Sequence, residues 1–295
     1  MKTFSGIITA MVTPMHADET VHYDALRRQT QRQLNGGVHG LFALGTNGEA
    51  YVLDETEKLK TAQTVIDEAA GKVPVLVGTG CISTRETVAL SRKVQQLGAD
   101  ALSIVCPYFA AASQEDLYGH YAAIAEAVDI PILLYNIPMR TGVNLEAETV
   151  ARLAQIPNII GVKDSSGSFD QILKYIAKTP DDFTVLAGTD SLVLWTLMAG
   201  GRGGICGVAN VFPKILSSIY DLWTAGDLQG AQKAQEAIRP FRECFKFGGS
   251  LSVIKLAGEI MGLDMGPVRK PFSMPKGEAR AYVENVLKTY YADQF

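Results

Sequence analysis

The segment Asn158-Ile159-Ile160-Gly161-Val162-Lys163-Asp164-Ser165-Ser166-Gly167 places one lysine directly after a short apolar run. Residues 159–162 lie between Pro157-Asn158 and Ser-Ser-Gly, a pattern typical of a buried strand. Lys163 then stands at the carboxyl end of that strand, where a loop and a helix begin. A buried ammonium group needs a partner or gives up its proton. The segment therefore fits a nucleophilic amine, and it also fits a lysine whose side chain bends into solvent.

Length and composition are those of one large α/β protein. The chain has 295 residues, of which 47% are hydrophobic and 28 are glycine. This is enough for one α/β barrel of ~250 residues with an appendage. The net charge of −4 argues against nucleic acid and anionic membranes as partners. No signal-like start and no run of ~18 apolar residues is present, so we expect a cytoplasmic protein.

The cysteines and histidines give no indication of a metal site. The four cysteines, at positions 81, 106, 206 and 244, form no C-x-x-C pair, so we expect free and mostly buried thiols. The four histidines show no H-x-x-H spacing. We therefore expect no metal site. We also expect no organic cofactor.

Strand and helix patterns alternate along most of the chain. The predicted strands cover residues 6–12, 40–44, 73–77, 101–105, 131–134, 159–162, 183–186 and 203–207. The predicted helices between and after them cover residues 23–34, 54–70, 83–98, 114–128, 145–154, 169–178, 192–199 and 213–223. Three further helices, 228–244, 251–261 and 277–290, follow without intervening strands.

About eight strand–helix units indicate a (β/α)₈ TIM barrel over residues 1–225, followed by a C-terminal helical extension over residues 226–295. The alternative is an open, doubly wound sheet. The absence of a G-x-G-x-x-G turn after the first strand counts against a dinucleotide-binding version of that sheet.

The barrel gives the lysine a chemical setting, because catalytic groups in such barrels lie at the carboxyl ends of the strands. The residues expected at this mouth are Thr46, Tyr108, Tyr135, Arg140, Lys163, Gly188, Asp190 and Ile205. An amine, hydroxyl groups and a guanidinium in one pocket suit Schiff-base chemistry on an α-keto acid. The amine would add to the keto carbon, the hydroxyls would move protons, and the remaining donors would hold a carboxylate.

Three short motifs in this order resemble a known superfamily. They are Gly45-Thr46-Asn47-Gly48-Glu49 against G-[TS]-T-G-E, Tyr135-Asn136-Ile137-Pro138 against Y-N-[VIF]-P, and Gly161-Val162-Lys163-Asp164 against G-[IV]-K-[DE]. The chain resembles the dihydrodipicolinate synthase/N-acetylneuraminate lyase superfamily of pyruvate-dependent class I aldolases and lyases. The resemblance covers essentially the whole length, including the helical tail.

The resemblance implies roles for individual residues. Lys163 matches the Schiff-base lysine, and Tyr135 matches the tyrosine that moves protons around the imine. Thr46 and Asn47 match the residues that bind the pyruvyl carboxylate, and Thr46 is also the middle of a hydroxyl relay.

Further positions would line the substrate pocket. Gly188 and Ile205 match positions that contribute backbone groups, and Arg140 matches the arginine that holds the carboxylate of the second substrate in the synthase branch. Asp190 aligns with an acidic residue that contacts sugar hydroxyls in the lyase branch, although the neighbouring glutamate of that branch is Ser191 here.

The chain departs from the superfamily pattern at two positions. The synthase has P-Y-Y after the fourth strand, and its second tyrosine completes the relay from a neighbouring subunit. This chain has Pro107-Tyr108-Phe109, so that hydroxyl is missing unless Tyr108 or water replaces it. Asn47 stands where threonine is usual. Phe109 argues against simple equivalence to the lysine-pathway synthase.

These observations predict a lyase that forms a lysine Schiff base and makes or breaks carbon–carbon or carbon–oxygen bonds. Its substrate would be pyruvate with an aldehyde, or a 2-keto acid cleaved to pyruvate. The alternatives are dihydrodipicolinate synthase, which condenses pyruvate with aspartate semialdehyde, a keto-deoxy sugar acid dehydratase, and a non-catalytic barrel that binds a keto acid. The resemblance also implies a homo-oligomer, specifically a homotetramer.

Overall fold

Eight parallel strands form a closed barrel in which each strand pairs with its neighbours in sequence and β1 also pairs with β8. The computed structural model describes residues 4–294. The strands are β1 (Gly6–Ala10), β2 (Gly40–Ala43), β3 (Val75–Gly78), β4 (Ala101–Val105), β5 (Ile132–Asn136), β6 (Ile159–Asp164), β7 (Thr184–Ala187) and β8 (Gly203–Cys206). The predicted (β/α)₈ TIM barrel is confirmed, and the alternative of an open sheet is wrong.

Helices alternate with the strands on the outside of the barrel. They are α1 (Tyr23–Asn35), α2 (Glu55–Ala69), α3 (Thr84–Gln96), α4 (Gln114–Ala127), α5 (Pro138–Thr141), α6 (Ala147–Leu153), α7 (Phe169–Lys178), α8 (Val193–Met198) and α9 (Pro213–Thr224). The short helix α5, which carries Arg140, was not predicted. Its segment follows β5 directly. Pro138 lies in the first turn of α5, where a backbone N–H has no partner within the helix, so the N–H that proline lacks is not missed.

Four helices follow the last barrel unit: α10 (Leu228–Ala237), α11 (Arg239–Glu243), α12 (Ser250–Ile260) and α13 (Glu278–Tyr290). The prediction of one helix over residues 228–244 is wrong, because the helix is interrupted at Ile238, two residues before Pro240. A proline is tolerated in the first turn of a helix but not in its interior. The domain boundary between residues 225 and 226 remains a prediction.

The barrel interior is filled by apolar side chains that alternate along the strands, while outward residues pack against the helices. Strand β6 is two residues longer than predicted, and Lys163 pairs in register with Tyr135 of β5. Lys163 is thus part of the strand rather than of the loop after it. Its exposed fraction is 4%, so the interpretation of a side chain that bends into solvent is wrong.

The helices after β8 attach to the loop after β2 through a fully buried ion pair. Lys255 Nζ of α12 lies 2.5 Å from Glu49 Oε1 and 2.7 Å from the carbonyl oxygen of Pro267. The backbone N–H of Arg269 donates to Glu49 Oε2 at 2.8 Å. Burial lowers the pKa of Lys255, while the neighbouring Glu49 carboxylate opposes that shift. The extension and the loop that carries Thr46 are therefore joined in the interior.

Two further expectations concern the thiols and the membrane. The four cysteines are free, and three of them are buried, as predicted. Among residues 4–294, none of the helices combines the length and the apolar character needed to cross a membrane. The cytoplasmic location remains a prediction.

Candidate active site

The amine of Lys163 lies against two aromatic rings at the carboxyl ends of the strands. Its Nζ is 4.0 Å from the centroid of the Tyr135 ring and 5.1 Å from that of Phe42. Within the described part of the chain, no carboxylate oxygen lies within 4.0 Å of this nitrogen. No ion pair therefore has to be broken before the nitrogen bonds to a substrate carbon.

A hydroxyl pair lies beside the amine. Tyr135 Oη and Thr46 Oγ1 are 3.2 Å apart, and either atom can be the donor. Thr46 reaches this position because the loop after β2 passes closely over Phe42. A Cβ at Gly45 would lie 2.6 Å from the Phe42 ring, so only glycine permits this approach. Two hydroxyls in contact, one of them on the lysine's neighbour in the sheet, can pass a proton to or from a group bound at Lys163.

A cavity of about 720 Å³ opens above these residues. Five of the predicted site residues line it, namely Thr46, Asn47, Tyr108, Tyr135 and Arg140. Segments 247–252 and 271–275 of the carboxyl-terminal extension line it as well. The amine of Lys163 lies against Phe42 and Tyr135, both of which line the cavity. The barrel and the extension together enclose the space in which a small substrate would meet the amine.

The polar groups on the β4–β5 side of the mouth remain available to a ligand. Arg140 is exposed on α5, and over residues 4–294 its guanidinium makes no ion pair. The side chain of Tyr108 is partly buried, and this burial raises the pKa of its hydroxyl, which therefore stays protonated at neutral pH. Burial likewise raises the pKa of Tyr51, a partly exposed residue of the same cavity wall, while the positive charge of Arg140 acts to lower that pKa.

Asp190 is not brought to the cavity. Its Oδ2 accepts a hydrogen bond from Arg242 at 2.8 Å, and its Oδ1 accepts one from the backbone N–H of Val208 at 2.9 Å. Its backbone carbonyl accepts from the side chain of Gln235 at 3.0 Å. The carboxylate thus ties the loops after β7 and β8 to the extension. A contact between Asp190 and a substrate remains a prediction.

Gly188 lies beside the lysine, and Ile205 lies in the barrel interior. A Cβ at Gly188 would come within 2.0 Å of Ser165 Oγ and 3.0 Å of Lys163 Cε. Glycine is therefore required beside the lysine stem. Ile205 is buried in the apolar layer of the barrel interior together with Phe42.

Several residues of the site were not identified from the sequence. Asn136 Nδ2 donates to Asp164 Oδ1 at 2.8 Å, which joins the ends of β5 and β6 beside the Tyr135–Lys163 pair. Burial raises the pKa of Asp164, and its hydrogen bonds to Ser166 and Asn136 oppose that shift. The signal for these residues was present, since Asn136 and Asp164 are both members of the quoted motifs. No group of three His, Cys, Asp or Glu side chains in the described range could hold a metal ion.

Comparison with known proteins identifies the family. The family model described as "Dihydrodipicolinate synthetase family" matches residues 3–290. The 4-hydroxy-tetrahydrodipicolinate synthase of Methanopyrus kandleri is 39% identical over 285 residues, which cover 96% of this chain and 95% of that protein.

Two solved structures have closely similar folds. YagE, a prophage protein of the dihydrodipicolinic acid synthase family from E. coli K12 solved in complex with pyruvate, has a TM-score of 0.94 and 31% identity, with 97% of this chain and 98% of that chain covered. A monomeric dihydrodipicolinate synthase variant has a TM-score of 0.93 and 34% identity, with 97% and 96% covered. The chain therefore belongs to the dihydrodipicolinate synthetase family of pyruvate-dependent enzymes that form a lysine Schiff base.

Proposed function

We propose that this chain is a class I aldolase or lyase in which Lys163 forms a Schiff base with pyruvate. The observation that carries the proposal is the buried amine of Lys163. It has no carboxylate partner among residues 4–294 and lies against Tyr135, whose hydroxyl contacts Thr46. These groups can carry imine formation and proton transfer. The comparisons with enzymes argue against a non-catalytic keto-acid-binding barrel.

The proposed reaction begins with attack of the Lys163 nitrogen on the keto carbon of pyruvate, whose oxygen leaves as water. Loss of a proton from the methyl carbon converts the imine to an enamine. The enamine carbon bonds to the carbonyl carbon of an aldehyde, and the aldehyde oxygen takes up a proton to become a hydroxyl. Water then hydrolyses the imine and frees the lysine. Tyr135 and Thr46 are placed to carry these protons.

Substrate binding is divided between two sides of the cavity. We propose that Thr46 and Asn47, on the loop after β2, hold the carboxylate of pyruvate. Arg140, after β5, would hold a carboxylate on the second substrate, because its planar fork suits bidentate binding. Gly188 and Ile205 would contribute to the wall near the imine.

A second candidate is 4-hydroxy-tetrahydrodipicolinate synthase, which would condense pyruvate with aspartate semialdehyde. The names of the curated relatives at 35–39% identity favour it. Phe109, which has no hydroxyl to complete the superfamily's relay, favours another hydroxylated or carboxylated acceptor instead. A keto-deoxy sugar acid dehydratase would begin from the same imine and remains a prediction.

The test has two parts. The protein is incubated with pyruvate and borohydride, and its mass is measured intact and after peptide mapping. We expect one reduced pyruvyl group on Lys163, and modification of a different lysine would contradict the proposal. Turnover is then measured with pyruvate and a panel of aldehydes that includes aspartate semialdehyde. Trapping without turnover of any aldehyde would indicate a binding protein rather than an aldolase.

Phe109→Tyr is expected to raise the rate of condensation with aspartate semialdehyde. General acid–base assistance is typically worth about 10²–10⁴-fold, so a restored relay hydroxyl should be visible in kcat. Phe169→Tyr, on α7 and away from the cavity lining, is the matched control and should change nothing. If the unmodified enzyme already turns over this substrate at ~10 s⁻¹ or more, our interpretation of Phe109 is wrong and the synthase is the better assignment.

We expect the protein to be a homotetramer with the loop of Tyr108 and Phe109 at a subunit boundary. The Phe109 side chain is 96% exposed, and its φ of 84° is unusual for a non-glycine residue. Light scattering at micromolar protein concentration should give a mass above that of the monomer. Phe109→Asp should lower the measured mass, whereas Tyr290→Asp, the control, should leave it unchanged. One solved relative is a monomeric dihydrodipicolinate synthase variant, so the oligomeric state of this chain has to be measured. A monomeric unmodified protein would contradict the prediction.

A further inference from the structure

The hydroxyl of Ser103 is buried in the wall of the cavity without a hydrogen-bond partner. Ser103 is 1% exposed, and its Oγ meets no donor or acceptor belonging to residues 4–294. It lines the same cavity as Phe42 and Tyr135, whose rings flank the amine of Lys163. An unsatisfied buried polar group typically costs about 1–3 kcal/mol. An alanine would avoid that cost. Among the buried, unpaired side-chain atoms of residues 4–294, the Ser103 hydroxyl is the one that belongs to a residue of the cavity lining, which points to a bound molecule as its partner.

Ser103 is the inward-facing hydroxyl of β4, two residues before Val105 on the same face of the strand. In register it lies opposite Gly78 of β3. A Cβ at Gly78 would lie 2.1 Å from the carbonyl oxygen of Leu44, so no side chain from that position can cover the serine. Ser103 therefore belongs to the cavity wall, and no side chain at position 78 separates it from the cavity.

The position on β4 decides which half of a substrate the hydroxyl can meet. Tyr108 follows the same strand, and Arg140 follows the adjacent β5. The loop with Thr46 and Asn47, assigned to the pyruvate carboxylate, follows β2, two strands away. Ser103 consequently lies on the side assigned to the second substrate.

We propose that the Ser103 hydroxyl hydrogen-bonds the oxygen that the acceptor aldehyde contributes and thereby helps to select the acceptor. A serine hydroxyl can donate to the aldehyde carbonyl and can accept from the hydroxyl that the carbonyl becomes. Ser103 keeps its own proton, because the proton taken up by that oxygen comes through Tyr135. This inference rests on the proposed function.

The test compares Ser103→Ala with the unmodified enzyme in the two halves of the reaction. Borohydride trapping of pyruvate and deuterium exchange at its methyl carbon report on the pyruvate half and should be unchanged. The kcat/KM for the best aldehyde of the panel should fall about tenfold, as expected for the loss of one neutral hydrogen bond. The melting temperature should be unchanged or higher, because no hydrogen bond within the protein is lost.

Thr61→Val is the matched control. The buried hydroxyl of Thr61 also lacks a partner within the described residues, but Thr61 lies on α2 away from the cavity lining. In the Thr61→Val enzyme, pyruvate trapping, deuterium exchange and the kcat/KM for the aldehyde should all equal those of the unmodified enzyme. Normal trapping with an unchanged acceptor kcat/KM in Ser103→Ala would overturn the inference and leave the proposed function intact. An equal loss in both halves, or a lower melting temperature, would assign Ser103 to pyruvate binding or to the fold. No trapping in the unmodified enzyme would refute the proposed function itself.

Discussion

Lys163→Met should abolish borohydride trapping of pyruvate and reduce turnover by at least about 10⁴-fold, a loss in the range seen when other covalent enzymes lose their nucleophile. Methionine can occupy the space between Phe42 and Tyr135 but cannot form an imine. Because the amine has no ion-pair partner in the described structure, its removal breaks no salt bridge. The melting temperature should therefore be equal to or above that of the unmodified protein.

The combination of lost activity and retained stability separates a reactive lysine from a structural one. Lys174→Met is the control, since Lys174 is exposed on α7 and pairs with Asp170 one turn away. It should leave both trapping and turnover unchanged. Substantial turnover in Lys163→Met would show that another group carries the reaction, and a large fall in melting temperature would show that Lys163 supports the fold.

Lys255→Met should destabilise the protein by about 3–5 kcal/mol, because it leaves the Glu49 carboxylate buried without its cation. For a chain of this size such a loss corresponds to a fall in melting temperature of roughly 5–8 °C. The KM for pyruvate should also rise, since Glu49 ends the loop that carries Thr46 and Asn47. Thermal unfolding and steady-state kinetics measure the two effects.

The double variant Glu49→Gln/Lys255→Met tests whether the ion pair itself is responsible. It removes both charges, so most of the lost stability should return. Lys288→Met breaks an exposed pair with Glu284 and should cost less than about 1 kcal/mol. A Lys255→Met protein as stable as the unmodified one would mean that Glu49 finds another partner or takes up a proton.

The sequence pattern identified the barrel because each strand is a short apolar run that ends at a glycine, proline or polar breaker. Strand 101–105 and helix 169–178 have the predicted limits. The end of β6 was missed because its last two residues, Lys163 and Asp164, are polar. When a strand ends in buried polar residues, the apolar run in the sequence stops before the strand does. The pairing of Lys163 with Tyr135 depends on how β5 and β6 align in the sheet, so the sequence of the segment alone does not reveal it.

Contacts between distant residues could not be read from the motifs. Asp190 binds Arg242, and Glu49 binds Lys255, over separations of 52 and 206 residues. The sequence around a loop carboxylate looks the same whether a substrate or an arginine neutralises that carboxylate. Only the packing of the extension on the barrel decides between the two, which is why the sequence could place Asp190 near the mouth but not find its partner.

The carboxyl-terminal segments that line the cavity have a consequence for how such an enzyme can diversify. Segments 247–252 and 271–275 face the substrate space but carry none of the groups assigned to imine formation. Mutations there can reshape the acceptor's surroundings while the lysine, the tyrosine and the threonine stay unchanged. A chimera that joins this barrel to the tail of a relative should accordingly inherit its pyruvate chemistry from one parent and its aldehyde preference, in part, from the other.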